Sequence, residues 1–397
     1  MYPEIWDRSG CVIAKSDFEG TRMQGTRGLR RKRGFSLALV ALLGIGLAGC
    51  QTGSTSAGLE SAETIELPPL SDLTPVADPS NVQGPTTALI GGPRIAPLAD
   101  APDPELPVTV TSHDRSGDTD VTVTDVSRVL ALSLSGSLGE LVHAFGMSEN
   151  LVGRDVSTNF PGAEDLPVVT RDGHSIDAEG VLALSPSVIL TDGSIGPTDV
   201  VLQMRDAGIP VITVDRAVDA ETTYKTAQQV ADALGVPAAA PPLLKALKQE
   251  IADTEAEVAA LLPKDSSKLP RVAFLYVRGT AGIYYLFGEG SGVDSLIRSI
   301  GAIDVAAEIG WKGEKPMTDE ALIAIDPDVI LVMTKGLESA DGVDGLLQAQ
   351  PSIALTTAGK NKRIIDVDDT LLFAGGTRIP DVIDGLARAV YAPDSLK

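Results

Sequence analysis

Two side chains, two residues apart, carry the most specific chemistry in this sequence. In Arg271-Val-Ala-Phe-Leu-Tyr276-Val-Arg278-Gly279, an apolar run of β type ends in a tyrosine, an arginine and a glycine. A parallel-sheet strand buried on both faces reads as such a continuous apolar run, and α/β proteins place ligands just beyond the carboxyl ends of those strands. Tyr276 and Arg278 therefore fall where a ligand would sit. Two apart on an extended chain, their side chains leave on one face, so a guanidinium can hydrogen-bond a phenolate and favour its charged form. A phenolate is a hard oxygen donor suited to ferric iron, and tyrosine is among the axial ligands of haem. Taken alone, the stretch also fits a core tyrosine whose hydroxyl is satisfied.

The elements that must position this pair begin near Val121 as an alternation of strand and helix signals. Ser127 to Ser133 reads as a strand, Gly136 to Gly146 as a helix and Leu151 to Arg154 as a short strand. Asp177 to Leu184 reads as a helix, Val188 to Thr191 as a buried strand, Asp199 to Ala207 as a helix and Val211 to Val214 as a strand. Such alternation implies a parallel sheet with crossover helices. On the first helix Leu138, Leu141, Val142 and Phe145 share one face, which leaves His143 as a surface residue. Leu243 to Leu262 is strongly helical, and twenty residues at ~1.5 Å each make a rod of about 30 Å. Beyond it the pattern repeats: Asp177-Ala-Glu-Gly-Val-Leu-Ala-Leu-Ser-Pro186-Ser-Val-Ile-Leu190 matches Thr318-Asp-Glu-Ala-Leu-Ile-Ala-Ile-Asp-Pro327-Asp-Val-Ile-Leu331 nearly position for position. In each copy an amphipathic helix ends, a proline enforces the turn and a β-branched strand follows. The expected fold is α/β: two Rossmann-like lobes with parallel sheets, joined by one long rigid helix, with a ligand cleft between them.

Composition narrows the partners. The net charge is −22, which disfavours nucleic acid. The two cysteines, Cys11 and Cys50, both precede the expected folded region, so the lobes have no disulfide or thiolate site. The three histidines, His113, His143 and His174, are too few for a histidine-rich zinc loop. No nucleophile–base arrangement or Gly-x-Ser-x-Gly elbow accompanies Tyr276 and Arg278, so the expectation is a binding protein and not an enzyme. At the amino terminus, Arg27, Arg30, Arg31, Lys32 and Arg33 precede an apolar stretch from Phe35 to Leu47, the length of a signal peptide and too short to span a membrane. Leu47-Ala48-Gly49-Cys50 then resembles the bacterial lipobox at all four positions, which implies a lipid on Cys50 and an anchor at the extracytoplasmic face of the cell membrane. The expected organisation is a signal region over 1–49, with Met23 as an alternative start, and a lipidated cysteine with flexible tether over 50–107. A lobe over 121–236, a connecting helix over 237–264 and a second lobe over 270–397 follow. His113, just past the tether, is expected to be exposed.

Lipobox, tether, bilobal repeat and connecting helix together resemble the helix-linked, class III substrate-binding lipoproteins of ABC importers, which carry haem, ferric siderophores, cobalamin or free metal. Leu151-Val-Gly-Arg-Asp155, Gly180-Val-Leu-Ala-Leu-Ser-Pro186 and Gly375-Gly-Thr-Arg-Ile-Pro380 resemble the hemin-specific branch, of the actinobacterial hemin-uptake type. In that branch one lobe supplies a histidine and the other a tyrosine to opposite sides of the iron, with an arginine hydrogen-bonded to the tyrosine. The matching residues here are His174, in Asp172-Gly-His-Ser175, and Tyr276 with Arg278. The resemblance implies that ferric haem b is the cargo and that an ABC permease dimer with its ATPase subunits receives it. Cell-surface haem-binding proteins are possible upstream partners. A ferric siderophore or cobalamin on the same fold is the alternative cargo.

Further haem neighbours are expected among Arg154, Arg171, Lys312 and Arg378 for the propionates, and Phe160, Trp311 and Met333 for the porphyrin faces. Gly288-Glu-Gly290-Ser-Gly292 reads as a turn whose amides could meet an anion. In the wider family an acidic residue on each lobe pairs with arginines of the permease. Asp199 in the first lobe, and Glu338 or Asp341 in the second, are the expected counterparts.

Overall fold

The computed structural model describes residues 67–99, 102–171, 175–279, 284–372 and 375–396. The signal region, Cys50 and His174 lie outside the described residues. Among those described, no helix is long and apolar enough to cross a membrane.

Residues 67–99 correct the tether expected there. Leu70 is fully buried in the core, and β1 (Thr86–Thr87) joins the sheet of the second lobe parallel to Ile365 and Asp366. The backbone of this segment is satisfied by groups far away in sequence: Val76 N–H donates to Tyr391 O (2.8 Å), Gly84 N–H to Asn361 O (2.9 Å) and Ala88 N–H to Asp366 O (2.8 Å). Buried Arg363 donates to Thr86 Oγ1 (2.8 Å) and to the carbonyl of Ala389, tying the segment to the last turn of the final helix. A polar, proline-rich stretch cannot bury enough apolar area to fold alone. Here its polar groups find partners on a lobe that is already folded.

A hairpin of β2 (Val108–Asp114) and β3 (Gly117–Val123) follows. Ser112 Oγ accepts from Thr213 N–H at 2.9 Å, and Asp114 accepts from Arg205 at 2.7 Å, so the hairpin covers an edge of the first lobe's sheet. His113 is accordingly half-buried, not exposed, with Nδ1 3.0 Å from Asp118.

The first lobe runs β4 (Val129–Leu132), α1 (Ser137–Ala144), β5 (Leu151–Arg154), β6 (Thr170–Arg171), β7 (Ser175–Ile176), α2 (Ala178–Leu184), β8 (Val188–Thr191), α3 (Thr198–Asp206), β9 (Val211–Thr213) and α4 (Ala220–Ala233). Its main sheet has the order β5-β4-β8-β9, all parallel. Phe145 and the apolar face of α1 are buried as the periodicity demands. His143 is not a free surface residue: it stacks on Phe160 with ring centroids 4.2 Å apart, and its Nδ1 lies 2.7 Å from Ser148 Oγ.

The connector α5 (Ala240–Ala259) buries Leu243, Leu247, Ile251, Thr254 and Val258, the i, i+4, i+8 stripe of a helix packed on one side. The second lobe then runs β10 (Arg271–Val277), β11 (Tyr284–Phe287), α6 (Val293–Ser299), β12 (Ile303–Asp304), α7 (Val305–Glu308), β13 (Glu314–Pro316), α8 (Asp319–Ile325), β14 (Val329–Met333), α9 (Thr334–Ser339), α10 (Gly342–Ala349), α11 (Pro351–Leu355), α12 (Thr357–Lys360), β15 (Ile364–Val367) and α13 (Ile379–Tyr391). Its sheet, β1-β15-β14-β10-β11-β13, is parallel from β1 to β10 and antiparallel beyond, with short β12 parallel to the start of β10. A single apolar cluster passes from Leu141 and Val230 in the first lobe through Leu247 and Ile251 of α5 to Leu386 of α13.

The internal repeat is structural as well as sequential. α2 and α8 are both seven residues long and end at Ser185 (φ 47°) and Asp326 (φ 39°), each followed by a proline two residues ahead of the next strand.

Candidate functional site

The position of Tyr276 follows from a change of partner along β10. Val272 to Phe274 pair with β14 in parallel, while Leu275 to Val277 pair with β11 in the opposite sense, so Tyr276 faces Tyr285 across the ladder. Its half-buried ring meets that of Tyr285 edge-on at 6.4 Å and lies over Phe287 at 6.2 Å. The Nε–H of Arg278, one residue past the end of β10, donates to Tyr276 Oη at 2.9 Å, as a spacing of two on extended chain permits. Arg278 Nη2 is 3.8 Å from Asp369 in the loop after β15, and Asp369 accepts from Lys335 N–H at 2.8 Å, where α9 leaves β14. Tyr276, Arg278 and Asp369 thus link the carboxyl ends of β10, β14 and β15, the edge where α/β sheets bind ligands. The bond to Tyr276, followed by the nearby Asp369 charge, raises the Arg278 guanidinium above its ordinary value and keeps it charged. Half of the Arg278 side chain stays open to solvent.

Other residues expected near a ligand are placed differently. Arg154 is buried within the first lobe, where its guanidinium donates to the carbonyls of Asp155 and Thr158 (both 3.3 Å). Arg378 is buried too, engaged with Asp381 (2.6 Å) and Gly91 O (2.9 Å). Neither is the free basic group a carboxylate would meet first. Lys312 is exposed and pairs with Glu289 at 2.8 Å, which sets a carboxylate beside the glycine-rich turn proposed for an anion. Phe160 is buried against His143, and Met333 closes β14 within the core. Trp311 is half-buried, with Nε1–H donating to Leu286 O at 3.0 Å. Arg171 ends β6, and its side chain lies outside the described set.

Asp199 is exposed in the first turn of α3, and Asp341 is exposed at the amino end of α10. Glu338 lies near the end of α9, not at a helix start.

Sequence reasoning passed over four residues. Asp369 carries Arg278, and Arg216 is exposed in the loop after β9. Glu179 on α2 and Glu320 on α8 occupy the same position of the repeat, and both are exposed. Three residues after each comes an exposed apolar side chain, Leu182 (44%) and Ile323 (39%). The aligned repeat contained this last signal, since the two glutamates match within it.

The lobes meet where the loop after β9 approaches two loops of the second lobe. A Cβ on Gly375 would stand 2.3 Å from Ala217 O, and one on Gly292 (φ +91°) 2.2 Å from Val218 O, so only glycine lets these loops approach so closely. Among the described residues no group of three or more His, Cys, Asp or Glu could hold a bare metal ion. Two α/β lobes bridged by one helix, with an oxygen donor and a cation at a strand edge, form the kind of site in which a ligand is held between domains.

The chain belongs to the periplasmic binding protein family, whose model matches residues 132–371. The uncharacterized ABC transporter substrate-binding lipoprotein YvrC of Bacillus subtilis (strain 168) is 30% identical over 300 residues, 74% of this chain and 88% of that protein. The crystal structure of the heme binding protein HmuT superposes with a TM-score of 0.71 at 34% identity, covering 79% of this chain and 99% of that one. Other solved forms of HmuT carry alanine in place of a tyrosine, of the arginine two positions after it, or of a histidine earlier in that chain. The periplasmic heme-binding protein BhuT, in complex with two hemes, superposes with a TM-score of 0.58 at 32% identity, covering 68% of this chain and 99% of that one. These relatives are substrate-binding transport proteins, not enzymes.

Proposed function

We propose that this protein captures ferric haem b between its lobes and hands it to an ABC permease. Tyr276 is the iron ligand from the second lobe, Arg278 is its hydrogen-bonding partner, and His174 is the ligand from the first lobe. The observation that carries the reading is the 2.9 Å bond from Arg278 to Tyr276 at the carboxyl edge of the second sheet. That HmuT has been solved with alanine at a tyrosine and at an arginine two positions after it, the spacing of Tyr276 and Arg278, gives it further support.

Arg278 polarises the Tyr276 oxygen and holds it in one direction, as partners of metal ligands do. Ferric iron bound on both faces by imidazole and phenolate has no open position for dioxygen or peroxide, so such a site stores its cargo. With Arg154 and Arg378 engaged inside the protein, exposed Arg216 is the better candidate for a propionate. Attachment through Cys50 would keep the protein at the outer face of the cell membrane, in line with its relative among substrate-binding lipoproteins. For delivery, Glu179 and Glu320 replace Asp199, Glu338 and Asp341 as the acids offered to the permease, because they are exposed and equivalent in the two lobes. The test is a titration with ferric hemin followed by optical absorption, using the unaltered protein and Tyr276→Phe, His174→Ala and Arg278→Ala.

A further inference from the structure

The seam between the lobes contains an acid with one carboxylate oxygen that has no hydrogen-bond partner among the described residues. Glu140, in the middle of α1, is 2% exposed, and its Oε2 has no hydrogen-bond partner. A Cβ on Gly376 would stand 3.9 Å from that oxygen and 3.1 Å from Ser137 Cβ, while Gly376 N–H donates to Thr223 Oγ1 of α4 at 2.9 Å. The loop Gly375 to Arg378 of the second lobe therefore seats directly on α1 and α4 of the first. The charged groups that face Glu140 are Arg378 and Asp381, from the start of α13, and Asp155, from the loop after β5. Arg378 is already paired with Asp381 at 2.6 Å, and Asp155 accepts from Ser133, Ser157 and Thr158. An ionised Glu140 would thus be a buried charge without its own counter-ion, next to two other acids.

We infer that Glu140 is a positioning residue of the lobe seam: as a neutral acid it lets Gly375–Arg378 seat on α1, and its ionisation loosens that seat and weakens the hold on a ligand between the lobes. The part concerning the ligand rests on the haem reading above; the part concerning the seam does not. Burial is the largest cause that pushes the Glu140 carboxyl up to about 8, with Arg378 opposing and Asp381 and Asp155 adding to the rise. Because the folded value exceeds the ordinary one of 4.5, the stabilising effect is complete below the ordinary value and is lost as pH rises through the folded one.

Hydrogen exchange of the full chain without ligand, at pH 6.5 and pH 9 and referenced to core amides of β4 and β14, reads the seam directly. In the unaltered protein, protection at residues 375–378 and 217–223 should fall about 30-fold with rising pH, since one linked proton allows at most about tenfold per pH unit and acts only up to the folded value of about 8. In Glu140→Gln, which keeps the shape without the charge, it should stay level. Equal behaviour of the two proteins would overturn the inference. If Glu140→Gln does not fold, the unaltered protein decides alone: seam protection that keeps pace with the core at both pH values would also overturn it. In a parallel hemin titration, the dissociation constant of the unaltered protein should rise about tenfold more between these pH values than that of Glu140→Gln. Absence of any hemin binding would sink the haem reading and leave the exchange result standing.

Discussion

Arg278, one residue past the end of β10, donates from Nε to the phenolic oxygen of Tyr276 at 2.9 Å and brings Nη2 within 3.8 Å of Asp369. In the proposed haem site the arginine is therefore a partner of the iron ligand and not the ligand itself. Arg278→Ala should leave hemin binding detectable, with an affinity about 10- to 100-fold lower and a shifted absorption spectrum. Arg278→Lys should not restore it, because a lysine lacks the planar fork that meets the phenol and Asp369 together. A spectrum unchanged by Arg278→Ala would show that the bond plays no part when iron is present.

The segment 67–99 should be needed for the fold. Arg94 bonds Glu250 on α5 at 3.0 Å and pairs with Asp384 on α13, so it clamps the connector to the final helix. Hydrogen bonds to charged groups contribute about 1.5–3 kcal/mol each, and Arg94→Ala should cost roughly that much in chemical denaturation. Leu70→Ala should cost about 2–5 kcal/mol. A protein cut to begin at residue 108 should unfold at a clearly lower temperature than one beginning at Ser61. Equal melting temperatures would return this stretch to the role of a tether.

Phe160 tests a different correction. Because it is buried against His143, Phe160→Ala should lower stability by about 3–5 kcal/mol while changing the spectrum of any hemin complex little. A large spectral change with normal stability would place it beside the porphyrin after all.

Docking through equivalent acids predicts a separation of phenotypes. Glu179→Arg and Glu320→Arg should each reduce haem-dependent growth or uptake and leave hemin affinity in solution unchanged. The same substitutions at Asp199, Glu338 and Asp341 should do less. Normal uptake with both glutamates reversed would remove this surface from the account.

Local periodicity carried most of what was legible. The strand ending at Tyr276 and Arg278, the seven-residue helices α2 and α8, and the prolines after them all follow from spacings of two to four residues, which the chain imposes on itself. What was hidden depends on partners far apart in sequence. Thr87 and Asp366 bond across 279 residues, so a stretch with the composition of a linker became part of a sheet. Arg378 looked like a surface cation because Gly91, whose carbonyl accepts from it, is 287 residues away; Arg154 is the exception, taken up by carbonyls one and four residues on that only the fold of the loop turns toward it. His143 lies off the apolar face of α1, as its helical position requires, yet Phe160 arrives from beyond β5 to cover it.

The measurement that bears most directly on the haem reading is a ferric hemin titration of the protein from Ser61 onward, followed by optical absorption, with Tyr276→Phe beside it. The account predicts saturable binding with a defined six-coordinate ferric spectrum, and a weaker complex of different spectrum once the phenol oxygen is removed, a larger loss than for Arg278→Ala. Tyr276→Phe binding hemin with the same affinity and spectrum as the unaltered protein would contradict it.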